Sequence, residues 1–239
     1  MWTIDRRMRW ALVGVLAVLA GGLGAWSALG GRPQPAGPPT LERLDVYGQV
    51  PPFSLVERSG RRVTRDDLRG LVWVADFIYT DCTDTCPTQS LELARLQDEF
   101  AAAANLRLVS ITGDPAHDTP DVLRRYAERY RAGERWWFLT GDRRGIYCLA
   151  SEGFRLSVSD PSAPAPSCGA AGASGFRLAG ILGPAPAWAH HGSPRLFVHS
   201  ARFVLVDGRA RIRAYHPATD PASLTALRAN LRRLIDERP

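Results

Sequence analysis

An α/β domain, built on a central mixed and mainly parallel sheet with helices on its faces, is predicted for this 239-residue sequence, behind a single N-terminal transmembrane helix. Three observations carry that expectation. Apolar, β-favouring runs alternate with segments of helical period, an order that calls for crossover helices between parallel strands. The stretch from Trp10 to Gly30 contains no charged residue. The remainder of the chain, about 200 residues, is long enough for one domain with a full core.

The apolar stretch just spans a bilayer core of about 30 Å at about 1.5 Å per residue. Arg6, Arg7 and Arg9 precede it. By the positive-inside rule residues 1–9 stay in the cytoplasm, 10–30 form an anchor in the cytoplasmic membrane, and the remainder faces the periplasm. A cleaved signal peptide is the competing reading. Its apolar region is usually shorter, and the small residues from Ala25 to Ala28 make a weak cleavage site. Residues 31–50 read as a tether, stiffened by Pro33, Pro35, Pro38 and Pro39, and residues 51–236 as the functional domain. All basic residues are Arg. They are scattered, with no aromatic-interleaved patch, which argues against nucleic-acid binding.

Within the domain, Phe53 to Val56 and Arg61 to Val63 flank Ser59-Gly60 as a hairpin, and Thr64 caps a short turn over Asp66 to Leu68. Leu71 to Tyr79 reads as a strand buried on both faces. A helix succeeds it from Cys86 to about Ala103, with Pro87 suited to its first turn and Leu93, Leu96 and Phe100 at helical spacing. Leu106 to Thr112 is a second buried strand. A helix over Asp121 to Arg131 comes after Asp118-Thr119-Pro120, then a strand at Trp136 to Leu139 and a helix at Gly145 to Ser151. Phe197 to Val206 and Arg211 to Tyr215 form a hairpin around Asp207-Gly208, and Ala222 to Ile235 closes the chain as a helix. The order is thioredoxin-like.

Cys82 and Cys86 lie where the first buried strand gives way to its helix, with three residues between them. A helix N-terminus stabilises a thiolate, which is both the nucleophile and the metal-binding form of cysteine, so the pair suits either a soft metal or a disulfide. A loop this small makes a purely structural disulfide of little use, since it would cross-link little chain entropy.

The segments Val72-Trp73-Val74-Ala75-Asp76-Phe77-Ile78-Tyr79-Thr80, Cys82-Thr83-Asp84-Thr85-Cys86-Pro87, Gly113-Asp114-Pro115-Ala116-His117-Asp118-Thr119-Pro120, Trp137-Phe138-Leu139-Thr140-Gly141 and Val198-His199-Ser200 together resemble the Sco/SenC family, over roughly Pro51 to Leu234. That resemblance implies a membrane-anchored, thioredoxin-like copper protein that helps metallate the CuA centre of cytochrome c oxidase. It implies Cys82 and Cys86 as thiolate ligands, His199 as the imidazole ligand, an upstream copper donor, and the oxidase's copper-bearing subunit as client. Two soft thiolates and one imidazole suit Cu(I), and with an added ligand Cu(II); Zn(II) would want a fourth ligand. Asp76 resembles the family's carboxylate on that strand, where it orients the Cys loop, docks a partner, or is a satisfied buried acid.

The remaining histidines have blander readings: His117 in a loop capping the next helix, His190 and His191 in an exposed loop, His216 at the hairpin exit. The chain departs from the family pattern in a Pro, Ala and Gly-rich insert over 159–195 that contains Cys168. In an oxidising compartment Cys148 and Cys168 are expected to pair, tethering the insert; the alternative is a redox or auxiliary copper role for Cys168 with His190 or His191. Two function classes are open. The first is a copper chaperone without turnover. The second is a thiol-disulfide oxidoreductase, with the more exposed Cys82 attacking and Cys86 resolving. His199 discriminates them, because copper needs it and disulfide exchange does not.

Overall fold

The computed structural model describes residues 40–156, 168 and 201–237. The expected membrane span, residues 31–39 of the tether, nearly all of the insert, and His190, His191 and His199 lie outside the described residues. Among the described residues no helix is long and apolar enough to cross a membrane.

The described residues form eight strands and four α-helices in the order β1 (Gly48–Gln49), β2 (Ser54–Glu57), β3 (Arg62–Thr64), β4 (Val72–Ile78), α1 (Cys86–Glu99), β5 (Leu106–Thr112), α2 (Pro120–Arg129), β6 (Trp136–Thr140), α3 (Arg143–Cys148), β7 (Arg202–Val206), β8 (Arg211–Pro217) and α4 (Pro221–Asp236). They make one sheet of order β1-β8-β7-β4-β5-β6-β2-β3. The pairs β4-β5 and β5-β6 run parallel. The pairings β1-β8, β2-β3, β2-β6, β4-β7 and β7-β8 are antiparallel. The sheet is therefore mixed, and the expectation of a mainly parallel one is corrected. The crossover helices α1 and α2 dictate the parallel centre, while the hairpins β2-β3 and β7-β8, whose tight turns force antiparallel neighbours, dock on either side of it.

The central strand β4 is buried at all seven positions, as a sequence with no polar alternation requires. Trp73 and Phe77 of β4 meet Phe154 edge to face, with ring centroids 5.8 and 5.6 Å apart. Phe154 reaches them because α3 does not simply continue to Ser151 as predicted. It passes into a wide π-type turn over Leu149–Gly153 that delivers the ring to the core. The helix α1 stops at Glu99, short of Ala103, because Phe100 leaves helical geometry at φ −102° and ψ 28° and buries against the core.

The stretch from Thr40 to Val50, expected to belong to the tether, is part of the fold. Glu42 and Val50 are buried and β1 extends the sheet beside β8. The α1 helix is fixed laterally by ion pairs to α4, where Arg228 engages Glu92 and also Glu99, the latter at 2.7 Å. The hairpin turn before β8 closes on Asp207, whose carboxylate accepts the amides of Arg209 and Arg211, each at 3.0 Å.

Candidate metal centre

The β4 strand ends at Ile78, and the chain passes through Tyr79, Thr80 and Asp81 to Cys82. There it turns, the Cys82 amide donating to the Tyr79 carbonyl at 3.2 Å. One turn later α1 begins. Thr85 occupies the N-cap, Cys86 is the first helical residue and Pro87 the second. The Cys86 amide, one of the N–H groups a helix start leaves without a partner in the helix, donates to the Cys82 sulfur at 3.4 Å. The local sequence thus folds the two cysteines against each other, and both carry thiols.

The two sulfurs differ in access. Cys82 retains 7% of its surface and Cys86 none. Burial pushes the Cys86 thiol well above its ordinary range. The hydrogen bond and charge of Cys82 and the charge of Asp76 act in the same direction, against a weaker opposing backbone hydrogen bond at Tyr79. In the metal-free dithiol, burial therefore works against the thiolate expected at the helix start. Burial, followed by the hydrogen bond to Cys82, likewise raises the Tyr79 phenol. A buried dithiol beside a buried carboxylate resists anionic charge, and that charge is best tolerated when a cation binds with it. Soft, buried donors suit a soft ion, and copper fits that donor set.

Asp76 is wholly buried on β4 and close enough to Cys86 for its charge to act there. At zero exposure it does not reach a partner's surface, which removes the docking role from its expected readings. His199, the implied third ligand, lies outside the described residues. Among the described residues no group of three or more His, Cys, Asp or Glu side chains is arranged to hold a metal, so the described part of the centre is the cysteine pair.

The other candidates fall elsewhere. His216 is buried, with Ser223 Oγ 3.4 Å from Nδ1 and the Asn230 amide 3.2 Å from Nε2. Cys148 and Cys168 form a disulfide with a Cα–Cα distance of 5.4 Å, so Cys168 offers no thiolate to an auxiliary copper site. His117 lies, as expected, in the loop that caps α2, where the Thr119 hydroxyl accepts the Val122 amide at 3.4 Å. The His117 ring stands between Asp118, at 2.9 Å, and Asp81, at 3.6 Å, beside the Cys loop.

Two residues at this centre are not evident from sequence pattern. Asp118, within Asp118-Thr119-Pro120, reads as the lead-in to a helix, yet it is fully buried against Thr80 and Thr112. Gln89, one turn after Cys86, is a polar residue on the buried face of α1 and has no hydrogen-bond partner for its side-chain amide among the described residues. Its departure from the apolar period was the available signal.

Fold and cysteine pair together define a thioredoxin-fold protein whose first main helix opens on a buried dithiol. The family model for SCO1/SenC matches residues 44–170, and the chain belongs to that family. The match is shifted from the expected Pro51 to Leu234 and ends before the segment containing His199. The SCO1 protein homolog of Bacillus subtilis is 34% identical over 116 residues, 47% of this chain and 60% of that protein; the chain thus spans less than two thirds of that relative. The solved structure of BsSco, described as a member of the Sco family of cytochrome c oxidase assembly proteins with a disulfide switch, superposes with TM-score 0.58 at 22% identity, covering 80% of this chain and 96% of that one. Arabidopsis thaliana ScoI, solved with copper bound, gives TM-score 0.57 at 19% identity, covering 78% and 99%. At such identities the two structures establish likeness of fold.

Proposed function

We propose that this chain is a membrane-anchored copper-binding chaperone, holding copper as cargo between the Cys82 and Cys86 sulfurs and the His199 imidazole, and delivering it to the CuA centre of cytochrome c oxidase during assembly. The observation that carries the reading is the buried dithiol at the start of α1 in a SCO1/SenC chain. Copper binding by the reduced pair releases the thiol protons, and the charge of the ion offsets the two thiolates that burial otherwise disfavours. Transfer then proceeds by ligand exchange, as client thiolates replace Cys82 and Cys86 one at a time. The more accessible Cys82 sulfur is the natural first point of exchange. Oxidation of the pair to a disulfide consumes both donors and blocks loading. The copper-bound Arabidopsis relative and the oxidase-assembly description of BsSco support this reading.

A second reading shares the same atoms. The Cys86 amide aimed at the Cys82 sulfur favours negative charge there, and a Cys82 thiolate attacks a client disulfide with Cys86 resolving the mixed disulfide. The test is anaerobic copper titration of the reduced, detergent-solubilised full chain and of its His199→Ala variant. One tightly bound equivalent, weakened at least tenfold by the substitution, supports the chaperone. Binding indifferent to His199, with efficient reduction of protein disulfides, favours the oxidoreductase.

A further inference from the structure

The Cys loop is held by a residue pair from the segment between β5 and α2. Asp118 is completely buried at the foot of α2. Its Oδ2 accepts the Thr80 amide at 3.1 Å and the Thr112 hydroxyl at 2.5 Å, and its Oδ1 accepts the Thr80 hydroxyl at 2.5 Å. Thr112 is the last residue of β5, paired in register with Ile78 at the end of β4. One carboxylate thus ties together the ends of the two central strands and the first loop residue after Tyr79. The neighbouring His117 extends the contact, with Nδ1 2.9 Å from Asp118 Oδ1 and Nε2 3.6 Å from Asp81 Oδ2. Thr80 and Asp81, the two residues before Cys82, are therefore both gripped by adjacent residues 117 and 118.

We propose that Asp118, supported by His117, is the positioning residue of the copper site: it fixes the path of Thr80 and Asp81 and so sets the Cys82 sulfur against the start of α1. The inference rests on the copper reading given above. A buried carboxylate is retained only where several donors compensate its desolvation, and three protein donors besides His117 converge here. Two of these bonds act on the loop itself, at Thr80, and the third on the end of β5 that pairs with the end of β4. Without them the Thr80–Asp81 segment loses the bonds that fix its path into Cys82. Preorganised sulfurs bind a metal more tightly than sulfurs that must be gathered first.

The test compares wild type, Asp118→Asn and His117→Gln in the reduced full chain by copper titration, by the energy of the sulfur-to-copper charge-transfer band with Cu(II), and by thermal unfolding of the copper-free protein. Asp118→Asn keeps the size of the side chain but replaces one acceptor oxygen by a donor facing Thr80 or Thr112. The expected result is a tenfold or greater loss of copper affinity with a displaced charge-transfer band, measured well below the unfolding temperature. His117→Gln is expected to produce a smaller loss in the same direction. Lower thermal stability with unchanged affinity and band position would make Asp118 a fold residue only and overturn the proposal. If wild type itself bound no copper through the cysteine pair, the copper reading and this inference would fall together, whereas tight wild-type binding matched by Asp118→Asn would overturn the inference alone.

Discussion

His216 is a buried histidine whose titration is expected to set much of the acid sensitivity of this domain. It lies on β8 with no exposed surface, accepting the Asn230 amide at Nε2 and facing Ser223 at Nδ1. The nearest carboxylate, Glu42, stands 3.9 Å from Nδ1. Burial, opposed in part by a hydrogen bond with the Ser223 backbone, pulls its pKa from 6.5 down to about 4. The folded protein therefore binds this proton less readily than the unfolded chain does. Above pH 6.5 both states hold a neutral ring and His216 has no effect on stability. As pH falls from 6.5 towards 4 the unfolded chain takes up a proton that the folded chain refuses, so stability is lost across that window and levels off below it. At about 1.36 kcal/mol per pKa unit the loss approaches about 3 kcal/mol. The perturbation is His216→Gln, which keeps an acceptor for Asn230 and removes the titration. Urea unfolding of wild type and variant between pH 7.5 and 4 isolates the effect, because the carboxylates titrating at the acid end are common to both. The free-energy gap between them should shift by about 2–3 kcal/mol in favour of the variant as pH is lowered. Parallel stability profiles would refute the reasoning and mean that the ring accepts its proton in place, with Glu42 as the compensating charge.

Other residues carry further expected outcomes. Replacing Gln89 by Leu removes a buried amide without a partner among the described residues, and is expected to stabilise the copper-free chain by about 1 kcal/mol, a rise of ~2–4 °C on a thermal melt; a lower melting temperature would show that the amide is satisfied from outside those residues. Serine at both Cys148 and Cys168 opens a loop of 20 residues' separation, with an expected cost of about 3 kcal/mol in the chain-entropy view, read by denaturant unfolding. Reductant added to wild type should reproduce that loss. Alkylation of the reduced, copper-free protein should modify Cys82 before Cys86, in line with their unequal burial, and mass mapping of the first adduct checks it.

Much of this protein is legible from local pattern alone. The strand Leu106–Thr112 has the ends its apolar run predicts, and β4 and the start of α1 agree within a residue, because unbroken apolar runs and a shift to helical spacing report directly on burial and period. The positions of Cys82 and Cys86 at the strand-to-helix junction are readable for the same reason. Features that depend on distant neighbours are not. The region from Thr40 to Val50 resembles a tether by composition, and only β8 lying beside it turns it into part of the sheet. The antiparallel majority of the sheet comes from where two hairpins dock, which no local period encodes. The Cys86 sulfur looks activated because its place at a helix start is a local fact, whereas the burial that raises its pKa is supplied by the surrounding core. Asp118 is 38 residues from Thr80 in the chain. Local residue order was enough to specify the elements and the thiol pair that begins α1. Packing settled how deeply that pair is desolvated and which carboxylate holds its loop, because desolvation and long-range hydrogen bonds exist only once separate segments have come together.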